Sequence, residues 1–267
     1  MSFAEITRPH PRVGVVTLNR PDRMNAMAFD VMIPFREALQ EVGNDNEVRI
    51  VVVTGAGRGF CSGADHENPG TIPHIEGLTL PTIALRSMEM LDDVIATTRR
   101  LHQPVIAAVN GAAVGGGFAF ALACDIRYAS PGARFGAVFI TRGVSACDMG
   151  TSYFLPRLVG ASRAAELMLT GRVFGAPEAR EMGLVLDVVD DGNVVGRALE
   201  TARLIAANPP LAVWMTKETM WQTIDAPSFR HALDMENRTQ VMCTATGELT
   251  EAFAAFREGR PARWKPL

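Results

Sequence analysis

Two apolar-rich extended stretches open the chain, Phe3–Thr7 and Val13–Leu18, with Pro9 and Pro11 between them. That spacing predicts a β-hairpin, ended by Asn19-Arg20-Pro21-Asp22. Apolar residues then recur at helical spacing from about Ala28 to Val42, despite Pro34, and predict an amphipathic helix. Val48–Thr54 is mostly β-branched and alternates poorly, as a strand covered on both faces does. A second helix fits Ala84–Leu101, followed by a buried strand at Gln103–Val109. Beyond them the pattern predicts a helix from about Gly116 and extended pieces at Ile126–Ala129 and Arg134–Val138. Short helices follow at Tyr153–Val159, Ala161–Thr170 and Ala176–Glu181, then a strand at Leu184–Val189. Such alternation implies a mostly parallel α/β core.

From Asn193 the strands stop. Helices at about Val194–Ala207, Leu211–Thr223, Ser228–Thr244 and Glu248–Arg257 are expected, so the chain divides into a core over 1–192 and a helical region over 193–267. Glu67–Pro81, with three prolines and two glycines, reads as a mobile loop.

Composition narrows the class. The 267 residues suffice for one large domain with a buried core, and 48% hydrophobic with 21% charged residues is ordinary for a soluble globule. A net charge of −3 without a basic block gives no reason to expect nucleic acid or a membrane surface. Val105–Cys124 is twenty residues without a charge, but Asn110 and the glycines in it would weaken a spanning helix. A strand, a turn and a short buried helix explain it better. Cys61, Cys124, Cys147 and Cys243 contain no CxxC, which suggests free thiols in a reducing compartment; the apolar-poor N-terminus adds to a cytoplasmic expectation. The five histidines show no ligand spacing, so no metal is expected.

Candidate chemistry centres on two glycine-bearing segments. Thr54-Gly55-Ala56-Gly57-Arg58-Gly59 follows a strand, as a dinucleotide loop does. Yet Cys61-Ser62-Gly63-Ala64-Asp65 after it is a poor helix start for holding a pyrophosphate. Gly143-Val144-Ser145-Ala146-Cys147 lacks the last glycine of a serine-hydrolase elbow. Gly115-Gly116-Gly117 stands at the start of an apolar helix, Phe118–Cys124. Close helix-strand packing accounts for one or two of these glycines; three suggest a backbone that a ligand approaches, with free N–H groups at the helix start. Such preorganised donors stabilise a developing oxyanion.

These pieces, in order, resemble the crotonase (enoyl-CoA hydratase/isomerase) family over essentially the whole chain. They are Leu18-Asn19-Arg20-Pro21 with Asn25-Ala26, Phe60-Cys61-Ser62-Gly63-Ala64-Asp65, Ala108-Val109-Asn110-Gly111, Gly115-Gly116-Gly117, Cys124-Asp125-Ile126-Arg127 and Leu169-Thr170-Gly171. The resemblance implies an α/β spiral of ββα turns with a helical trimerisation region, a trimer or a dimer of trimers. It also implies an acyl-CoA substrate, with coenzyme A as part of the substrate and no separate cofactor. By the same resemblance the N–H groups of Ser62 and Gly116 hold the thioester oxygen. The adenine end would lie near Arg23, Met24, Ala26, Ala64 and Asp65, and Phe256 and Arg260 would complete its pocket, from this subunit or a neighbour.

The family's two hydratase glutamates fall at Ala119 and Phe139 here. Without them the usual water-activating base and carbon acid are gone. Asp148 is the remaining acid in the region. It reads either as an N-terminal cap for the Tyr153 helix or as an acid/base or nucleophilic group. Dienoyl-CoA isomerases carry an aspartate that looks equivalent, and chlorobenzoyl-CoA dehalogenases use a nucleophilic aspartate in a similar region. Asp125 and Asp65 compete as carboxylates, the first as a structural hydrogen-bonding group, the second as one that orients its loop. Three readings stay open: a hydratase/isomerase-like enzyme with Asp148 as acid/base, a thioester hydrolase or dehalogenase with Asp148 as nucleophile, and a silent acyl-CoA-binding protein. Phe118, Phe120, Phe139, Met88 and Met90 fit either an apolar acyl pocket or the core, and His66 and His74 fall beside the first segment.

Overall fold

The computed structural model describes residues 2–190 and 192–267. The expected hairpin forms as β1 (Ala4–His10) and β2 (Val13–Leu18), paired antiparallel. Helix α1 (Phe29–Gly43) tolerates Pro34 and buries Val31, Phe35, Leu39 and Val42. Strand β3 (Ile50–Gly55) is buried along its whole length, as its β-branched run predicts, and is followed by a short β4 (Gly59–Cys61).

Helix α2 (Leu80–Arg100) begins four residues earlier than expected, with Pro81 in its first turn, where the missing N–H costs no helical bond. Strands β5 (Val105–Val109) and β6 (Ala112–Val114) lead into α3 (Gly116–Ala123), buried at every residue. After β7 (Ile126–Ala129) and β8 (Arg134–Gly136), the chain enters a 3-10 turn at Val138–Arg142 in place of further strand.

Helices α4 (Thr151–Val159) and α5 (Ala161–Thr170) precede β9 (Phe174–Gly175), α6 (Ala176–Glu181) and β10 (Asp187–Val188). The strand expected over Leu184–Val189 is thus only two residues long. The last helices are α7 (Val194–Ala206), α8 (Pro210–Thr223), α9 (Phe229–Thr244) and α10 (Glu248–Glu258).

The strands form a six-stranded sheet in the order β1-β2-β3-β5-β7-β10 and a four-stranded sheet in the order β4-β6-β8-β9. Each of β3, β5 and β7 is followed by a short strand in the second sheet, and after β4 and β6 by a helix, so the chain winds as ββα turns. Apart from the β1-β2 and β8-β9 pairs, the described pairings are parallel. One core lies between the sheets around α1 and α3, including Phe35, Phe60, Phe118 and Phe135. A second lies on the outer face of the large sheet, where Val194, Ala198, Ala202 and Ala206 of α7 pack on Val13, Val15, Ile50, Val52 and Ile106. The helical region expected from 193 therefore starts with a helix belonging to the sheet's own core. Among the described residues no helix is long and apolar enough to cross a membrane.

Candidate active site

The turn after β3 is stapled by side-chain amides. Asn110 donates to the carbonyls of Gly55 (2.8 Å) and Gly57 (2.9 Å), and Asn25 donates to those of Gly59 (2.7 Å) and Ala56 (3.0 Å). A turn whose carbonyls are bound in this way is a structural corner. It leads into β4 and not into a helix, so it lacks the phosphate-holding geometry of a dinucleotide loop.

Beyond β4 the chain pairs with the segment before α1. The Met27 N–H donates to Gly63 O (2.8 Å) and the Asp65 N–H to Met27 O (2.8 Å), the two bonds of a parallel bridge between Met27 and Ala64. In such a bridge the N–H of Ala64 points to the opposite side. Among the described residues it meets no acceptor, and Ala64 lines a cavity.

Ser62, expected as the donor, is differently committed: its N–H donates to Met24 O at 3.1 Å. This corrects the expectation drawn from the sequence. The free amide of the turn is that of Ala64, two residues on.

The facing donor comes from the glycine triplet. Gly115 adopts φ 56°, ψ −126°, a conformation open essentially to glycine alone, and its carbonyl accepts from both Phe118 and Ala119 (3.0 Å each). That leaves Gly116 at the head of α3 with its N–H unpaired in the first turn. Gly116 lines the same cavity as Ala64. Gly117 serves packing instead. A Cβ there would stand 2.0 Å from Cys61 O, so α3 is pressed against the end of β4.

The cavity measures about 750 Å³ and is largely apolar. Met27, Met88, Leu91, Val138, Phe139 and Met149 contribute to its wall, and the thioethers of Met27 and Met149 sit against Gly116. Phe139 therefore occupies the wall at the position where the resemblance would put a glutamate. Ala119 is fully buried in the core. Phe118 and Phe120 are core as well, Phe120 stacked on Phe60 and edge-on to Phe35, and Met90 is not in the wall. Of the two loop histidines, His66 reaches the cavity and His74 does not.

Asp148 lines the cavity on the turn before α4. The helix-cap reading fails, because the cap position is Gly150 and Asp148 contributes its main-chain carbonyl, accepting from Thr151 N–H at 2.8 Å. Its carboxylate is left to the cavity. Burial pushes its pKa up from the ordinary carboxylate value, with a hydrogen bond from the Met149 N–H opposing.

Asp65 is the other carboxylate in the wall, and it is ion-paired and hydrogen-bonded by the protein. Arg20 and Arg23 both stand 2.9 Å from its oxygens, and the N–H groups of Glu67 and Asn68 donate to it. The hydrogen bond from Arg23 is the main reason its pKa is held far below the usual range. Arg23, Met24 and Ala26 flank this turn without lining the cavity, Ala26 being buried. Phe256, on α10, is 86% exposed, and Arg260 is paired with Glu251 and Glu258; neither lines the cavity of this chain. Asp125 is structural, as expected: Arg99, Lys217, Trp221 and the Val105 N–H converge on it. Among the described residues no group of three or more His, Cys, Asp or Glu side chains could hold a metal ion.

The enoyl-CoA hydratase/isomerase family model matches residues 10–266. The chain belongs to this family. A probable enoyl-CoA hydratase of Mycobacterium bovis is 51% identical over 261 residues, covering 97% of this chain and 92% of that protein. A crystal structure of a probable enoyl-CoA hydratase/isomerase from Mycobacterium abscessus superposes with a TM-score of 0.92 at 50% identity, covering 98% of this chain and 99% of the other. A monofunctional enoyl-CoA isomerase from Mycobacterium smegmatis matches with a TM-score of 0.74 at 45% identity, over 87% of this chain and 99% of its own. Family membership makes the chain an acyl-CoA-processing enzyme of the hydratase/isomerase type. The Ala64 donor was invisible in the sequence, since the direction of an N–H is set by pairing with Met27 and leaves no mark in residue type.

Proposed function

We propose that this enzyme isomerises an enoyl-CoA thioester by moving one proton along the acyl chain, with Asp148 as the single acid/base. The N–H groups of Ala64 and Gly116 receive the thioester oxygen. The ionised Asp148 removes a proton from the carbon that flanks the double bond, the electron pair delocalises into the thioester as an enolate, and the same carboxyl returns the proton at the other end of the allylic system. Atoms and charge balance without water or a second acid. Each backbone donor contributes on the order of 3 kcal/mol to the charged intermediate.

The observation that carries this reading is that Asp148 is the one cavity carboxylate without an ion-pair partner among the described residues, in a wall where Phe139 is apolar. Hydration needs a base for water and an acid for carbon; a proton shuttle needs one group. The M. smegmatis relative named as an enoyl-CoA isomerase supports the same choice. The adenine end of the substrate is assigned to the Arg23, Met24, Ala26 and Asp65 corner beside Ala64. Phe256 (86% exposed) and Arg260 would reach a cavity only across a contact with another copy, which fits a trimer or dimer of trimers built through the exposed Phe229, Phe253 and Phe256.

The test is to supply a β,γ-unsaturated acyl-CoA and follow conversion to the conjugated thioester, with products separated by chromatography. Asp148→Asn should lower kcat by about 10²–10⁴-fold while substrate still binds. Accumulation of 3-hydroxyacyl-CoA as the main product would point to hydration. An acyl adduct on Asp148 by mass spectrometry would point to nucleophilic attack, and turnover indifferent to Asp148→Asn would reject the assignment.

A further inference from the structure

Gly115 lies between two parts of the cavity wall. A Cβ built there would lie 3.8 Å from Gly63 Cα on one side, and 3.6 Å from Val138 Cγ2 and 4.0 Å from Phe139 Cε1 on the other. The first direction leads to Ala64, Asp65, His66 and Pro69; the second leads to Thr141, Arg142, Val144, Gly171 and Val173. The second group is one packed unit: a Cβ on Gly171 would stand 2.7 Å from Thr141 Cγ2, and one on Gly136 would stand 3.2 Å from Val173 Cγ2 and 3.3 Å from Val138 Cγ1.

The charges at the two ends differ. At the Asp65 end the guanidinium groups of Arg20 and Arg23 are paired with two carboxylates, Asp65 with both and Glu67 with Arg23. At the far end Arg172 is clamped between Glu166 (2.6 Å) and Glu178 (2.5 Å). Arg142, exposed at the close of the 3-10 turn and part of the cavity wall, forms no ion pair with any described carboxylate, Asp148 included. It is the one Lys or Arg in that wall, beside Thr141 and the apolar Val138, Phe139, Val144 and Val173. A guanidinium facing a ligand cavity without a protein partner is a ready bidentate site for a carboxylate.

We propose that Arg142 selects acyl-CoA substrates whose acyl chain ends in an anionic carboxylate, that is, CoA thioesters of dicarboxylic acids. The thioester lies at Ala64 and Gly116 in the middle of the cavity, the coenzyme A portion leaves past Asp65, and the acyl chain runs along Phe139 and Val138 to place its far carboxylate on Arg142. The inference rests on the acyl-CoA orientation given under Proposed function, but not on the proton shuttle.

Saturated thioesters separate the two, since they bind and have no double bond to move. Titration calorimetry of the native enzyme and of Arg142→Gln uses CoA thioesters of dicarboxylic acids, over a series of chain lengths, against monocarboxylic acids of equal length. The native enzyme should bind the best dicarboxylic thioester about 10-fold or more tightly than its neutral counterpart. Arg142→Gln should erase that preference without weakening the neutral ligand, and Arg142→Lys should keep part of it. Equal binding of both classes at every length overturns the proposal. So does an equal loss for both classes in Arg142→Gln, because the guanidinium then serves the coenzyme A phosphates. If the preference appears while β,γ-unsaturated thioesters are not isomerised, only the proton-shuttle reading falls.

Discussion

The contact between Gly117 and the end of β4 makes Gly117→Ala a sharp test of how the two donor segments are held. The added methyl would meet Cys61 O at 2.0 Å and Cys61 C and Cβ at 2.7 Å. Overpacking of a core by yielding side chains costs about 1–3 kcal/mol. Here the obstacle is the main chain of a buried strand, which can retreat only by separating β4 from α3, so the cost belongs at about 3 kcal/mol or more. In a chain of this size that corresponds to a fall in Tm of about 6 °C or more.

The same displacement moves Gly116 away from Ala64, and on the proposed function the loss of one oxyanion donor should lower kcat by about 10²-fold. Differential scanning calorimetry and turnover of a β,γ-unsaturated thioester measure the two effects. Gly116→Ala is the contrast: its methyl meets the Sδ atoms of Met27 (2.4 Å) and Met149 (2.9 Å), flexible side-chain ends that can swing away. It should therefore cost less stability than Gly117→Ala. If Gly117→Ala keeps the native Tm and kcat, the close approach of α3 and β4 is not what sets the site.

Three further outcomes are expected. Asp125→Asn leaves Lys217, only 7% exposed, without its anion and should cost about 3–5 kcal/mol in urea unfolding, since a buried charge stripped of its partner is severely destabilising. Asp65→Asn should destabilise at neutral pH, because the carboxyl's lowered pKa makes its stabilisation present above the unfolded value of about 4 and lost as pH falls through the folded value. The gap between native and variant, followed by denaturant unfolding at stepped pH, should therefore narrow in acid; a gap that widens there refutes the assignment. Finally, the exposed Cys147 should react with a thiol reagent in the native state, whereas burial pushes Cys61 and Cys124 up to about 12, so both should label only on unfolding, as read by mass spectrometry.

The central strands β2, β3 and β5 of the large sheet were legible because they are buried on both faces, and Val13–Leu18, Val48–Thr54 and Gln103–Val109 carry that as largely apolar runs. Of the four-stranded sheet, only β8 was, within the extended piece at Arg134–Val138. Gly59–Cys61, Ala112–Val114 and Phe174–Gly175 are three residues or fewer, too short for any periodicity, and exist because neighbouring turns of the chain offer them partners. At the site, the glycine triplet, the Asp65 turn and Asp148 could be read from residue type. The shift from Ser62 to Ala64 could not. Nor could Arg142, because a single arginine in a turn has no signature until the cavity beside it is seen.

The parallel bridge between Met27 and Ala64 has a bearing on how this scaffold can change. Both groups assigned to the carbonyl belong to the main chain, so no exchange of side chain deletes them; only a movement of the backbone does. The wall residues proposed to govern the enolate, at positions 139 and 148, sit on other elements, the 3-10 turn and the turn before α4, and can be exchanged without disturbing that pair. On the proposed function, electrophile activation and proton delivery thus rest on separate parts of the chain. On the same proposal, a wall with Phe139 in place of an acid still leaves both main-chain donors to hold a thioester for whatever group the wall supplies.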